Sequence, residues 1–200
     1  MNQDDVNELI TRLTKITNDP PNYPYIRHQK QQHGNIPLWV MMKALTLGTV
    51  SKLYSFLPQS IQHNVSKEFE YVHEGMLVQM LDLLARVRNV CAHNERLFDY
   101  KYQKGTIDDT YVHNALAIEK KKGQYIKGKN DLFAVVIVLK YLLSEEDFSS
   151  FVQELEKITE QLFLDTRVIE KLQLYKYMGF TENWFDIDAC TKTGEKKISE

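Results

Sequence analysis

Apolar positions along the chain recur mainly at helical spacing. Val6, Leu9, Ile10, Leu13 and Ile16 follow Asp4 as a cap, and Asp19-Pro20-Pro21 with Pro24 stops that helix. Asn18 to Asn35 then reads as a loop. Pro37 suits the first turn of a helix through Leu38, Trp39, Met42 and Leu45, with Gly48 as a break before Val50, Leu53, Tyr54 and Leu57 and Pro58 as the stop. A short helix around Ile61 to Phe69 follows, and then the longest periodic stretch, Glu74 to Cys91, with which no strand pattern competes. Leu132 to Leu143 contains the β-branched run Val135-Val136-Ile137-Val138, yet its length favours a helix. Ser144 with Glu145, Glu146 and Asp147 opens a helix through Phe148, Val152, Leu155, Ile158 and Leu162. A last helix, Arg167 to Met178, ends at Gly179. The pattern predicts an all-α fold in three stretches: a short helix and Pro-rich loop over 1–35, a helical domain over 36–185 and a polar tail over 186–200.

Composition narrows this picture. With 200 residues, 43% of them apolar, and only eight Gly and five Pro, the chain has enough material for one sizeable core and is neither collagenous nor linker-like. Cys91 and Cys190 stand far apart and outside any CxxC or Cys/His quartet, so neither a disulfide framework nor a metal or other cofactor is expected. The opening residues MNQDDVNELI lack the basic and apolar regions of a secretory leader, and no run reaches the ~18 apolar residues of a membrane span. A cytoplasmic protein without membrane contact is the expectation.

A net charge of −2 advertises no nucleic-acid partner, so any such partner must meet a local patch. One exists. Residues 101–130 hold Lys101, Lys104, Lys120, Lys121, Lys122, Lys127 and Lys129 against Asp108, Asp109 and Glu119, whereas residues 141–170 carry eight acids against Lys157 and Arg167. Lys120, Lys121 and Lys122, with Tyr111 and Tyr125 nearby, offer the charge and stacking faces that single-stranded RNA uses, the plainer reading being a solvated lysine-rich helix end. His28 and His33, beside Arg27 and Lys30, read as a solvated loop that could also touch RNA. His63, His73 and His113 stand alone and read as surface or internally satisfied histidines.

The candidate chemistry lies at the end of the long periodic stretch. Projected at 100° per residue, Leu77, Met80, Leu81, Leu84, Val87 and Cys91 fall within an arc of roughly 120°. Arg88 falls inside that arc. Arg86 falls on the opposite side, one turn after Asp82, where a surface ion pair is the natural reading. A guanidinium in an apolar arc needs a carboxylate, phosphate or wet cleft to receive it, so Arg88 calls for explanation. His93 projects about 140° from Arg88, so either the helix ends or bends near Ala92, or a second copy of the chain completes a site. If both converge on a phosphodiester, the histidine can move a proton at a ribose 2′-hydroxyl while the arginine holds charge on phosphorus. The bare spacing is uninformative, since composition alone yields about 0.2 such matches and Arg27…His33 and Arg86…His93 are close variants.

Context is more specific. The run Leu84-Ala85-Arg86-Val87-Arg88-Asn89-Val90-Cys91-Ala92-His93-Asn94-Glu95-Arg96-Leu97-Phe98-Asp99 resembles the signature of the Abi-like (AbiD/AbiF) abortive-infection family, a branch of the HEPN superfamily marked by Arg-polar-x3-His. Ile36-Pro37-Leu38-Trp39-Val40 and Leu47-Gly48-Thr49-Val50-Ser51-Lys52-Leu53-Tyr54 resemble its upstream segment, and Met178-Gly179-Phe180 with Trp184 its ending. The resemblance implies a HEPN-type helical bundle that pairs as a two-fold homodimer, bringing both motifs into one cleft, and RNA cleavage without metal by Arg88, Asn89 and His93. It also implies a longer aromatic-rich region before Ile36 than the one present.

Two functions follow. The first is a metal-independent endoribonuclease acting as an anti-phage toxin, with His93 as general acid/base, Arg88 on the phosphate and Asn89 as a positioning group. The alternative is a non-catalytic RNA-binding or interaction module built on the same residues. The partners expected are RNA, as substrate or as a bound guide or antitoxin RNA, a second copy of the chain, and an antitoxin.

Overall fold

A computed structural model of the chain describes residues 3–18, 22–103, 105–165 and 170–191. Among these, ten α-helices, one small hairpin and a closing 3-10 turn (Trp184–Ile187) are present, and packing groups them into two compact units, 1–64 and 65–200.

The first unit begins with α1 (Gln3–Asn18). Its polar flank is tied to α4 (Leu47–Phe56): Arg12 donates to Thr49 Oγ1 at 3.3 Å, and Lys52 meets Asp5 at 3.2 Å and Glu8 at 3.7 Å. The predicted loop between Asn18 and Asn35 is instead interrupted by α2 (Pro24–His33). Pro24 starts that helix at a position where its missing N–H costs nothing, and Gly34, at φ +65°, closes it in the left-handed conformation. Periodicity could not reveal it, because only Ile26 of its ten residues is buried. Ile26 packs with Ile16 and with Val40 of α3 (Leu38–Met42). The next break falls before Thr46, whose hydroxyl accepts the Thr49 N–H at 3.2 Å, so Gly48 lies inside the first turn of α4 rather than between helices. A further helix, α5 (Gln59–Ser66), leads out of this unit.

In the second unit α6 (Glu74–Ala92) packs against α8 (Leu132–Leu142), and α8 packs against α9 (Glu145–Asp165). Phe133 through Val138 are all buried, so the β-branched run forms the central helix that its length indicates. Ser144 caps α9 by accepting the Asp147 N–H at 3.1 Å. After α10 (Lys171–Met178) an aromatic cluster joins Phe133, Tyr175, Phe180 and Trp184. Packing continues through Ile187 and Cys190, both buried; Arg167 and residues 192–200 lie outside the described residues.

Between α6 and α8 the chain forms α7 (Tyr111–Ala115) and a hairpin of β1 (Lys120–Lys121) and β2 (Gln124–Tyr125). Lys122 and Gly123, at φ +52° and +81°, make the two-residue turn with both residues left-handed that such hairpins favour. The hairpin is anchored by Tyr125, which stacks on His113 at 4.6 Å and donates to Asn114 Oδ1. His113 is fully buried as a neutral ring: Nδ1 accepts the Thr110 N–H at 3.0 Å, and Nε2 donates to Gly128 O at 3.0 Å. Burial lowers its pKa to about 4.

This histidine makes a test of packing. An unfolded histidine takes a proton near pH 6.5, while the buried ring resists one until about pH 4. Its contribution is therefore present above pH 6.5 and is lost as pH falls through that window, by up to roughly 3 kcal/mol. Buried Asp131 runs the other way, because desolvation raises its pKa despite nearby Lys101, and it offsets part of the loss at the acid end. Urea unfolding at pH 7 and pH 5 should show wild type losing more stability than His113→Gln, whose side chain does not titrate.

Candidate functional site

The motif sits at the C-terminal end of α6. His73 caps the start of this helix by accepting the Met76 N–H at 3.2 Å, in the satisfied role read for a lone histidine, and Met76, Leu77, Met80, Leu83, Val87 and Val90 are buried along it. That face is turned roughly 60° from the arc drawn on sequence alone. Leu81 and Leu84 are only half-buried and Cys91 is exposed. Arg88 therefore does not lie in the buried arc; it is exposed, about 100° from the middle of the packed face.

The two arginines differ in their partners. Arg86 makes the expected surface pair with Asp82 at 3.1 Å, and lies over the Tyr102 ring. Tyr102, which the sequence reading did not single out, donates its phenol to the same carboxylate and is buried. It ties the segment after the motif to α6. Arg88, by contrast, meets only the neutral Asn89 Oδ1, at 3.4 Å, and among the described residues no carboxylate pairs with it. Asn89 thus contacts the guanidinium from the next position along the chain.

The helix stops cleanly after the motif. His93 is the cap residue, Asn94 takes a left-handed φ of +55°, and the N–H groups of Asn94 and Glu95 return to the carbonyls of Cys91 and Val90 at 3.1 and 3.0 Å. This pair of bonds is the Schellman closure, for which asparagine is the usual substitute for glycine. His93 is exposed, and among the described residues no partner holds its ring. Because the helix runs regularly to Ala92, ending there does not swing His93 toward Arg88; the divergence of about 140° persists.

The lysine cluster is not a helix end. Lys120, Lys121 and Lys122 are exposed on the hairpin, while Lys127 donates to Phe180 O at 2.7 Å, Lys129 pairs with Asp109 at 2.7 Å and Lys101 lies 3.7 Å from buried Asp131. Internal pairing thus reduces the basic zone to the hairpin tip; Lys104 lies outside the described residues. Tyr125 is buried under Lys120, whose Nζ sits 4.2 Å from the ring centre, and is not free to stack on a base. Tyr111 is half-buried, in contact with Tyr141.

A cleft of about 1320 Å³ opens elsewhere in the second unit, between Tyr141, Glu145, Phe148 and Asp188. None of Arg88, Asn89 and His93 lines it. Among the described residues no three His, Cys, Asp or Glu side chains group to hold a metal, and no helix is long and apolar enough to cross a membrane.

Residues 1–99 match the family model of Abi-like proteins. The match supports the Abi-like family for this chain, and it contains the segment from Ile36 to Tyr54 and the whole Arg88-Asn89-x3-His93 motif. The Abi-like match ends before the hairpin and before Met178-Gly179-Phe180 and Trp184. No curated protein and no solved structure matches the chain.

Proposed function

We propose that this Abi-like chain is a HEPN-type endoribonuclease of abortive infection, working as a two-fold homodimer without a metal ion. The observation that carries the reading is the pairing of an unneutralised, exposed Arg88 with an exposed His93 on one helix end, aimed about 140° apart. On a straight helix the two side chains project away from any single phosphate. A two-fold axis beside this helix end would let Arg88 of one copy face His93 of the other. The Abi-like match supports the defence role.

In that cleft His93 takes the proton of a ribose 2′-hydroxyl, the freed oxygen attacks the adjacent phosphorus, and the bond to the 5′-oxygen breaks. The products are a cyclic 2′,3′-phosphate and, once the leaving oxygen is protonated, a 5′-hydroxyl. Arg88 presents its planar fork to the charge that grows on the phosphoryl oxygens, and Asn89 holds that fork in place. Lys120, Lys121 and Lys122 attract the RNA backbone without taking part in bond breaking.

Total RNA incubated with the protein in EDTA tests this reading. Fragments bearing cyclic phosphate and 5′-hydroxyl ends are expected, and cleavage that stops in EDTA and returns with magnesium would overturn it. Neutralising the three hairpin lysines together should lower the salt slope of RNA binding, by up to about 0.7 per lost phosphate contact, while cleavage of bound RNA stays near the wild-type rate. Binding measured between 50 and 300 mM salt checks this.

A further inference from the structure

The first unit carries a surface that the cleavage reading leaves unused. We infer that α2 and α3 form a second binding face for single-stranded RNA, with Arg27, Lys30 and, at the end of α3, Lys43 on the phosphates and Trp39 stacked on a base. The inference stands on the first unit alone and holds whether or not the motif cuts RNA.

Charge is the first observation. From Asn22 to Asn64 there is no Asp or Glu, although the acid content of the whole chain would place about six there. Of the four Lys and Arg in that stretch, only Lys52 is neutralised, by Asp5 and Glu8 of α1. Among the described residues no carboxylate pairs with Arg27, Lys30 or Lys43.

The second observation is that α2 has little structural reason for its surface. It buries Ile26 alone and leaves Tyr25, Arg27, His28, Lys30, Gln31, Gln32 and His33 exposed. A short polar helix usually gains support from acid–base pairs four residues apart, and none can form here. What it offers outward is cations, amides and imidazoles, the groups that hydrogen-bond phosphates and unpaired base edges.

Third, a large exposed ring stands beside the third cation, Lys43. Trp39 is 62% exposed in the first turn of α3, with the Lys43 ammonium 5.4 Å from its ring centre. Its neighbour Val40 packs against Ile26, so α2 and α3 share one small core that fixes the ring and the α2 cations on two helices packed together. Base stacking on an exposed ring within a cationic face is the mode by which proteins hold single strands without reading duplex sequence. An anionic bilayer is less well matched, because α2 has no apolar face to insert.

The two tryptophans make the test direct, since Trp184 is fully buried and Trp39 is exposed. An oligouridylate of about 15 nucleotides is titrated into the full chain carrying His93→Ala, which prevents cleavage, with tryptophan fluorescence and RNA anisotropy read together. Binding should quench the Trp39 share of the emission, and Trp39→Phe should remove the quench. A triple Arg27→Gln, Lys30→Gln, Lys43→Gln variant, its fold checked by circular dichroism, should weaken binding at least tenfold and lower its salt slope by about 2. RNA bound without quenching, or bound equally by the triple variant, overturns the assignment, as does absence of RNA binding. Quenching by anionic phosphatidylserine vesicles in place of RNA would show a lipid face and overturn it too. None of these outcomes reports on cleavage, so this face and the motif fail or stand separately.

Discussion

A His93→Ala variant is expected to lose RNA cleavage by about 100- to 10,000-fold while binding RNA nearly as well as the wild type. The size follows from removing a positioned proton-transfer group. The spared affinity follows from the loss of one small ring rather than of a fixed cation, and from the exposed position of His93 just beyond α6, where truncation disturbs no packing. Arg88→Lys separates charge from shape in the same assay. It keeps the positive charge and loses the planar fork, so a role in the transition state predicts a rate loss of about 100-fold with little change in affinity. Single-turnover cleavage at saturating protein, with anisotropy for binding, measures both quantities. Normal cleavage by both variants would make the motif structural and leave a non-catalytic RNA-binding module.

Gly179→Ala is expected to destabilise the second unit by about 3–5 kcal/mol. Gly179 sits at φ +79°, where a side chain is strained, and an added Cβ would lie 2.2 Å from the Asp131 carboxylate. Asp131 cannot retreat cheaply. It is 2% exposed, accepts the Ala134 N–H that opens α8 at 3.1 Å, and accepts the Gly128 N–H at 3.1 Å. Forcing it aside breaks the cap of the central helix as well as straining the turn after α10. Gly123→Ala is the control, because it shares the left-handed φ at +81° but meets nothing within 4 Å, so its cost should be about 1 kcal/mol. Thermal unfolding should place the two variants several degrees apart. Equal midpoints would show that Asp131 and Gly179 do not constrain each other.

The sequence was legible where one signal dominated. The central helix α8 could be read because eleven continuous residues exceed an ordinary strand, and capping residues marked α9 and α10. Helix α2 was hidden because a single buried residue leaves no period to detect, though Pro24 and Gly34 were its proper punctuation. The hairpin was hidden for a related reason: its turn uses Lys122 where asparagine or aspartate would have announced a left-handed residue. On α6 the apolar residues spread over more than half the circumference, and the packing of α8, not the pattern, selects the half that is buried. Leu83 and Val90 went in, Cys91 stayed out, and Arg88 was released to the surface. The candidate residues could be named from sequence, but the direction in which each points depends on that rotation. In the proposed dimer Arg88 and His93 would meet only through a second copy of the same surface, an arrangement that lies outside the pattern of a single chain.

The composite site is tested most directly by combining two inactive variants. Arg88→Ala and His93→Ala chains carrying different tags are co-expressed, the mixed dimer is purified through both tags, and its cleavage of total RNA is measured in EDTA. If each Arg88–His93 pair in the shared cleft takes its arginine from one copy and its histidine from the other, the mixed dimer has one pair lacking both residues and one pair intact, and should recover about half the wild-type rate. A mixed dimer as silent as its parents, beside an active wild type, would contradict the composite site.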